Sequence, residues 1–186
     1  MSGQFSDAMR NNALLALLLS LVGVLVYITF RFEWKYAVSS VLALLHDVLL
    51  TLAVMAIANR LGAPVQLNLE VIGAIMTIIG YSLNDTIIVF DRIREDLRIM
   101  RKRSFPEIIN HALNQTLSRT LMTSGTTLLV LLALDFFAGT AIFGFAFVMT
   151  VGVFLGTLSS LFIASPILLW LHNREEAELK GVESHA

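Results

Sequence analysis

Leu69-Glu70-Val71-Ile72-Gly73-Ala74-Ile75-Met76-Thr77-Ile78-Ile79-Gly80-Tyr81-Ser82-Leu83-Asn84-Asp85-Thr86-Ile87-Ile88-Val89-Phe90 is an apolar run in which Asp85 is the one acidic or basic residue beyond Glu70. A bilayer core of about 30 Å needs about 20 helical residues at about 1.5 Å each, and this run meets that length. It must be a helix, because a lone strand in lipid leaves its backbone donors and acceptors unpaired. The same reading applied outward finds four more such runs, near Ala13–Phe30, Tyr36–Ala58, Leu117–Leu134 and Ala141–Leu171. The expected fold is therefore an all-α polytopic transmembrane bundle with five spans.

Composition agrees. Of 186 residues, 56% are hydrophobic and only 15% are charged, and the mean hydropathy is +0.78. A soluble domain of this length needs more polar surface to cover its core. A net charge of −1 argues against a nucleic-acid partner, and the lack of cysteine excludes disulfides and thiolate metal sites. The segment before Ala13 is polar, and no small-residue cleavage site closes the first apolar run, so a cleavable signal peptide is not expected.

Lysine and arginine set the expected orientation. Arg31 and Lys35 follow the first span; Arg92, Arg94, Arg98, Arg101, Lys102 and Arg103 follow the third; Arg174 and Lys180 lie in the tail. Only Arg10 and Arg60 lie on the other side. The positive-inside rule then places those loops and the C-terminus in the cytoplasm, with residues 1–12 an external polar segment and 172–186 a cytoplasmic tail around a membrane bundle of residues 13–171. Five spans with an external start and no signal sequence are hard to insert, which raises the expectation of a segment upstream. In the long basic loop, Ser104-Phe105-Pro106-Glu107 has capping-box spacing. Phe105, Ile108, Ile109, Ala112 and Leu113 share a helical face, so an amphipathic helix over about 104–116, lying in the membrane interface, is expected.

A charge at a helix centre costs about 2.5–3.5 kcal/mol on insertion scales, so ionisable residues at bilayer depth are functional candidates. Asp85 stands first, expected about a turn and a half from the cytoplasmic end of its span, with Thr77, Tyr81 and Asn84 spaced to share its face. A carboxyl in low dielectric disfavours its charged form unless a cation is close, which suits a group that loads and releases protons. Arg119, beside the hydroxyls Thr116, Thr120, Thr123 and Thr127, is the candidate cation; the other reading is an arginine snorkelling to headgroups. His46 and Asp47 lie mid-span, about 100° apart on the helix, and are not expected to share one site. For them a proton-pathway role and a structural hydrogen-bond role both stand open.

The remaining features read as structure. Glu70 and Asp135 lie at helix ends, where solvation is cheap. Asp91-Arg92-Ile93-Arg94-Glu95 reads as an interfacial anchor. Gly152, Gly156, Ser160 and Ala164 form a small-residue stripe for close helix approach, and Pro166 is a point where the last helix loosens. No Gly-x-Gly-Asp segment, nucleophile pair, His-Glu-x-x-His or phosphate-cradling loop is present, so no catalytic residue, metal site or cofactor is expected and the chain reads as a non-enzyme.

Several segments resemble the SecF family, the accessory subunit of the bacterial Sec protein translocase. They are Phe30-Arg31-Phe32-Glu33-Trp34, Leu45-His46-Asp47, Thr77 through Thr86, Val89 through Glu95, and Asn114-Gln115-Thr116-Leu117-Ser118-Arg119-Thr120. The resemblance runs from about Asn11 to the last helix. It implies a protein of the bacterial inner membrane that works with SecD beside the SecYEG channel, with YajC as a further partner. It also implies use of the proton-motive force to help move an exported preprotein, in a membrane architecture similar to resistance–nodulation–division transporters. It implies proton conduction through the positions that are Asp85 and Arg119 here; His46, Asp47, Asn84 and Tyr81 stand as weaker candidates from the residues alone. A complete SecF has six helices and a periplasmic domain between the first two, so this chain resembles the C-terminal part of such a half. Two other readings stay open: a half-unit of a proton-coupled small-molecule or lipid exporter, and a structural subunit in which Asp85 and Arg119 form a fixed pair.

Overall fold

The computed structural model describes residues 2–31, 33–137 and 139–183, and every element in them is helical. The helices are α1 (Ser2–Arg31), α2 (Trp34–Arg60), α3 (Leu69–Ile99), α4 (Phe105–Phe137), α5 (Thr140–Ser159) and α6 (Ser165–Glu183), with a π-helical segment, Ser160–Ala164, joining α5 to α6. Among the described residues four stretches are long and apolar enough to cross a bilayer: α2, α3, α4 and the continuous run Thr140–Glu178; α1 carries a shorter apolar stretch, Leu18–Phe30. The side chains of Arg10, Arg31 and Lys180, and all of Phe32, lie outside the described residues, as do residues 184–186 of the tail.

Local chemistry explains the boundaries. Asn68 caps α3 by accepting from the Val71 backbone N–H at 2.9 Å. The turn before it closes as Asn59 Nδ2 donates to the Val65 carbonyl at 2.6 Å. Gly62 (φ 95°) and Gly139 (φ 72°) occupy left-handed backbone that a side chain would strain, and they sit in the two short connections at that end of the bundle. Half of the capping box forms at α4: the Ser104 N–H donates to Glu107 Oε2 at 3.1 Å.

α3 is the central helix. Of its apolar window 56% is buried, against 17% for α4, so α4 keeps a broad face for lipid. Exposed Leu121, Met122, Leu129 and Val130 on α4, with Leu42, Leu45 and Leu49 on α2, form the apolar exterior expected of a membrane bundle. The glycine stripe of α5 lies on α3. A Cβ at Gly152 would overlap the Ile78 side chain, and one at Gly156 would sit 3.0 Å from Ser82 Cβ. Small residues here let α3 and α5 approach closely, as read from the sequence. Before Pro166, which has no N–H to give, the helix widens into its π-helical segment. There Ser160 Oγ donates to the Thr157 carbonyl at 2.9 Å and Ser165 Oγ to the Ser160 carbonyl at 3.4 Å.

Two expectations need correction. The amphipathic helix over 104–116 does not lie in the interface as a separate element: it is the start of α4, one helix of 33 residues and about 50 Å. Its apolar face meets protein, since Ile108, Ile109 and Ala112 are buried and Phe105 stacks on His172 of α6 at 3.8 Å. Amphipathic spacing records a two-sided environment; it does not say whether lipid or protein supplies the apolar side. Residues 2–12 and 172–183 carry on α1 and α6 as helix, which does not alter the expected segment and tail. Finally, α3 runs nine residues past Phe90, because charged residues can extend a helix out of the bilayer. Asp85 is therefore near its midpoint, about 24 Å from Leu69 and about 21 Å from Ile99.

Candidate functional site

The polar groups at bilayer depth gather on the two sides of α3. On one side, α2 presents Asp47, fully buried at the midpoint of that helix. Ser82 Oγ donates to Asp47 Oδ2 at 2.6 Å, and His46 Nδ1 lies 3.2 Å from Asp47 Oδ1. The adjacent pair does share a site, contrary to the expectation from their 100° separation. Asp47 points inward, while the half-exposed His46 ring turns back along the helix surface to reach it.

On the other side stands Asp85, 1% exposed. Ser124 Oγ of α4 donates to Asp85 Oδ2 at 3.5 Å, the limit of a hydrogen bond, so the carboxyl is loosely held. Ser124 in turn accepts from Thr157 Oγ1 of α5 at 2.7 Å and from the Tyr81 hydroxyl at 3.4 Å; Tyr81 also reaches Thr127 Oγ1 at 3.5 Å. Side chains from α3, α4 and α5 thus converge on one hydroxyl. One turn before Ser124, Thr120 Oγ1 is buried with no hydrogen-bond partner among the described residues, as is Thr51 Oγ1, one turn after Asp47 on α2. A hydroxyl can both donate and accept, so the cluster can pass a proton or rearrange around either state of the carboxyl.

Several candidates named from the sequence fall elsewhere. Asn84 and Thr77 are exposed, away from the Asp85 carboxyl, and Thr77 Oγ1 donates to its own helix at the Gly73 carbonyl at 2.9 Å. Only Tyr81 of the expected face joins Asp85. Arg119 is exposed on α4 and within electrostatic reach of Asp85, yet forms no ion pair with it among the described residues. The reading of a fixed Asp85–Arg119 pair is therefore not what the structure holds. Of the hydroxyl stripe, Thr116 and Thr120 face inward and Thr123 faces out.

Three residues carry more than sequence reasoning gave them. Ser124 was missed, although it continues the Thr116–Thr120 row by one helical turn, which was the available signal. Asp96, fully buried, was also missed: Arg92 Nη2 lies 3.0 Å from its Oδ1 and His111 Nδ1 2.9 Å from its Oδ2, tying α3 to α4 near the arginine-rich loop. Asp135 is not simply solvated, since Thr150 Oγ1 of α5 donates to its Oδ2 at 2.7 Å. Among the described residues no three His, Cys, Asp or Glu side chains converge as metal ligands do.

A family profile described as "Protein export membrane protein SecD/SecF, C-terminal" matches residues 1–174. The chain belongs to that family. The SecF protein translocase subunit of Rhodothermus marinus is 43% identical over 175 residues, covering 94% of this chain and 57% of that protein. SecF of Escherichia coli O157:H7 is 45% identical over 166 residues, covering 89% of this chain and 50% of that one. The protein translocase subunit SecDF of Thermus thermophilus is 42% identical over 172 residues, 92% of this chain and 23% of that one. The chain thus spans about half the length of these SecF relatives and a quarter or less of SecDF. The crystal structure of SecDF in a super-membrane-facing form superposes with a TM-score of 0.82 at 42% identity, over 92% of this chain and 23% of that one. The resemblance read from the sequence and the helical membrane architecture both hold, and the chain is a multi-pass protein of the bacterial inner membrane.

Proposed function

We propose that this chain is the membrane-embedded, SecF-like part of a Sec translocase accessory complex. In this reading it works with SecD beside SecYEG, with YajC as an associated subunit, and draws on the proton-motive force to assist export of a preprotein. The coupling ion is the proton; no cofactor and no covalent step is invoked. The arginine-rich loop and the C-terminus face the cytoplasm.

The observation that carries the proposal is the setting of Asp85. It is buried at the middle of the central membrane helix, held by one long hydroxyl contact and by no ion pair among the described residues. A carboxyl held by neutral hydroxyls gains or loses a proton without first breaking a salt bridge. Arg119, near but unpaired with it, is placed to respond to that change of charge by moving toward or away from the carboxylate. Family membership supports the export setting, and the relative named SecDF supports SecD as the partner.

The test is Asp85→Asn in the complete complex. Export stimulated by the proton-motive force should be lost, while membrane insertion and co-purification with SecD persist. Undiminished energised export by that variant would remove the proposal, and co-purification with a small-molecule exporter in place of SecD would favour the exporter reading.

A further inference from the structure

The seam between α3 and α4 carries polar side chains from Asp85 almost to the arginine-rich end of the bundle. Three contacts fix its antiparallel register: Tyr81 with Thr127, Asp85 with Ser124, and Asp96 with His111. Between the last two, α4 turns Thr120 and Thr116 into the seam, 1% and 7% exposed. Ser124, Thr120 and Thr116 follow one another at four-residue spacing, about 6 Å of helix rise. One water making two hydrogen bonds of about 2.8 Å spans that gap. Thr116 Oγ1 donates to the Ala112 carbonyl at 2.9 Å, which leaves its lone pairs to accept. Thr120 Oγ1 is buried with no hydrogen-bond partner among the described residues. A buried hydroxyl of that kind is a place for ordered water.

The row ends at a histidine whose neighbours prepare it to take a proton. Asp96 is fully buried, and its charge is held by Arg92, Nη2 to Oδ1 at 3.0 Å. An ionised carboxylate only accepts, so the 2.9 Å contact of His111 Nδ1 with Asp96 Oδ2 puts the ring hydrogen on Nδ1. His111 Nε2 then keeps its lone pair, which the Gln115 amide N–H meets at 3.2 Å. Rotation of that amide presents its oxygen instead, so Gln115 can serve the ring in either charge state. His111 and Gln115 also line an open recess of about 490 Å³ at the arginine-rich end. The other charged groups about the ring are Arg103 and Glu107 on the same recess, and Glu95, which pairs with Arg92 at 2.8 Å.

We propose that His111 passes protons between the buried hydroxyl row and the cytoplasm, with Asp96 as the positioning residue that fixes its tautomer. The assignment rests on the proton reading of Asp85 and on the orientation proposed with it. A proton leaving Asp85 moves along Ser124, Thr120 and Thr116 with a water between successive hydroxyls, each oxygen taking one proton and giving up another. His111 Nε2 takes the last one. The imidazolium then stands between Asp96 and Gln115 and releases its Nε2 proton to water in the recess. Asp96 keeps its charge throughout, so its pair with Arg92 is undisturbed.

The test uses the complete complex in inverted membrane vesicles, whose cytoplasmic face is outward, with export driven by an imposed proton gradient. His111→Asn keeps a donor where Nδ1 stood, facing Asp96, but has no nitrogen that titrates. A general acid–base group is worth about 10²–10⁴-fold, and water in an open recess recovers part of that, so gradient-driven export should fall about tenfold. His111→Ala should fall as far, and imidazole added outside should restore it several-fold, each rate being taken relative to wild type at the same imidazole concentration. Asp85→Asn should stay inactive with imidazole present. Full export by His111→Asn, or a loss in His111→Ala that imidazole does not repair, overturns the assignment; a loss confined to Asp85→Asn would leave the proton reading standing without it. Normal export by Asp85→Asn would remove the proton reading and this relay together.

Discussion

Gly152→Ala is the most direct perturbation of the packing that positions the buried acids. The added Cβ falls inside the Ile78 side chain, and Ile78 is itself buried on α3, so no open space receives it. Overpacking of this kind costs about 1–3 kcal/mol, which shifts an unfolding equilibrium by roughly 5- to 150-fold. The internal controls are Gly80 and Gly125, each within a membrane helix and with nothing within 4 Å of the position a Cβ would take. There alanine should be neutral or stabilising by about 0.5–1 kcal/mol, from helix propensity alone. Reversible unfolding of the purified chain in mixed micelles of mild detergent and dodecyl sulfate, followed by helical circular dichroism, reads all three. The double variant Gly152→Ala with Ile78→Ala should lose less than the sum of the two single losses, because the overlapping atoms are gone. If Gly152→Ala were as stable as wild type, or if Gly125→Ala were the damaging change, the close approach of α5 to α3 would be wrong.

Ser82→Ala should cost about 1.5–3 kcal/mol in the same assay, since it removes a 2.6 Å donor from fully buried Asp47. Ser124→Ala should cost less, about 1 kcal/mol, its contact to Asp85 being long, yet should reduce proton-driven export more than Ser82→Ala does in a vesicle export assay. Asp96→Ala should destabilise by about 2–3 kcal/mol, less than for a wholly buried pair because Arg92 and His111 are partly exposed; thermal unfolding checks it, and a loss under about 0.5 kcal/mol would deny the α3–α4 tie. Because the chain has no cysteine, Lys102→Cys and Ala63→Cys can be labelled singly. A membrane-impermeant maleimide added to intact spheroplasts should label position 63 and not 102, and the reverse pattern would invert the proposed orientation.

The all-helical membrane class and the small-residue stripe were legible in the sequence because both depend on properties summed along one helix, apolar length and four-residue spacing; of the five expected spans, the first proved the shorter apolar stretch. Asp85 and Asp47 were legible for a related reason: the cost of placing a carboxyl at bilayer depth is incurred whatever surrounds it. What surrounds it was not legible. Whether Asp85 meets Arg119 or Ser124 depends on the rotation of α4 about its own axis, and the two residues lie on different faces of that helix. Nor did spacing reveal that α3 and α4 extend well past the apolar runs, since Arg92, Glu95 and Asp96 look like a loop until Asp96 is seen buried against His111.

The buried acids of this bundle differ in a way that bears on which of them changes charge. Asp96 is ion-paired to Arg92, with His111 beside it, and removing its charge would break that pair and leave Arg92 to Glu95 alone. Asp47 is clamped by a short hydroxyl contact and backed by His46, which favours one fixed geometry. Asp85 alone of the three has only a long contact to a serine that is also engaged by Thr157 and Tyr81. Changing its charge asks only that hydroxyls rotate, a small reorganisation compared with separating ions at bilayer depth. The acid best placed to act is therefore the one the structure holds least firmly, and firmness of holding, more than burial, separates Asp85 from its neighbours.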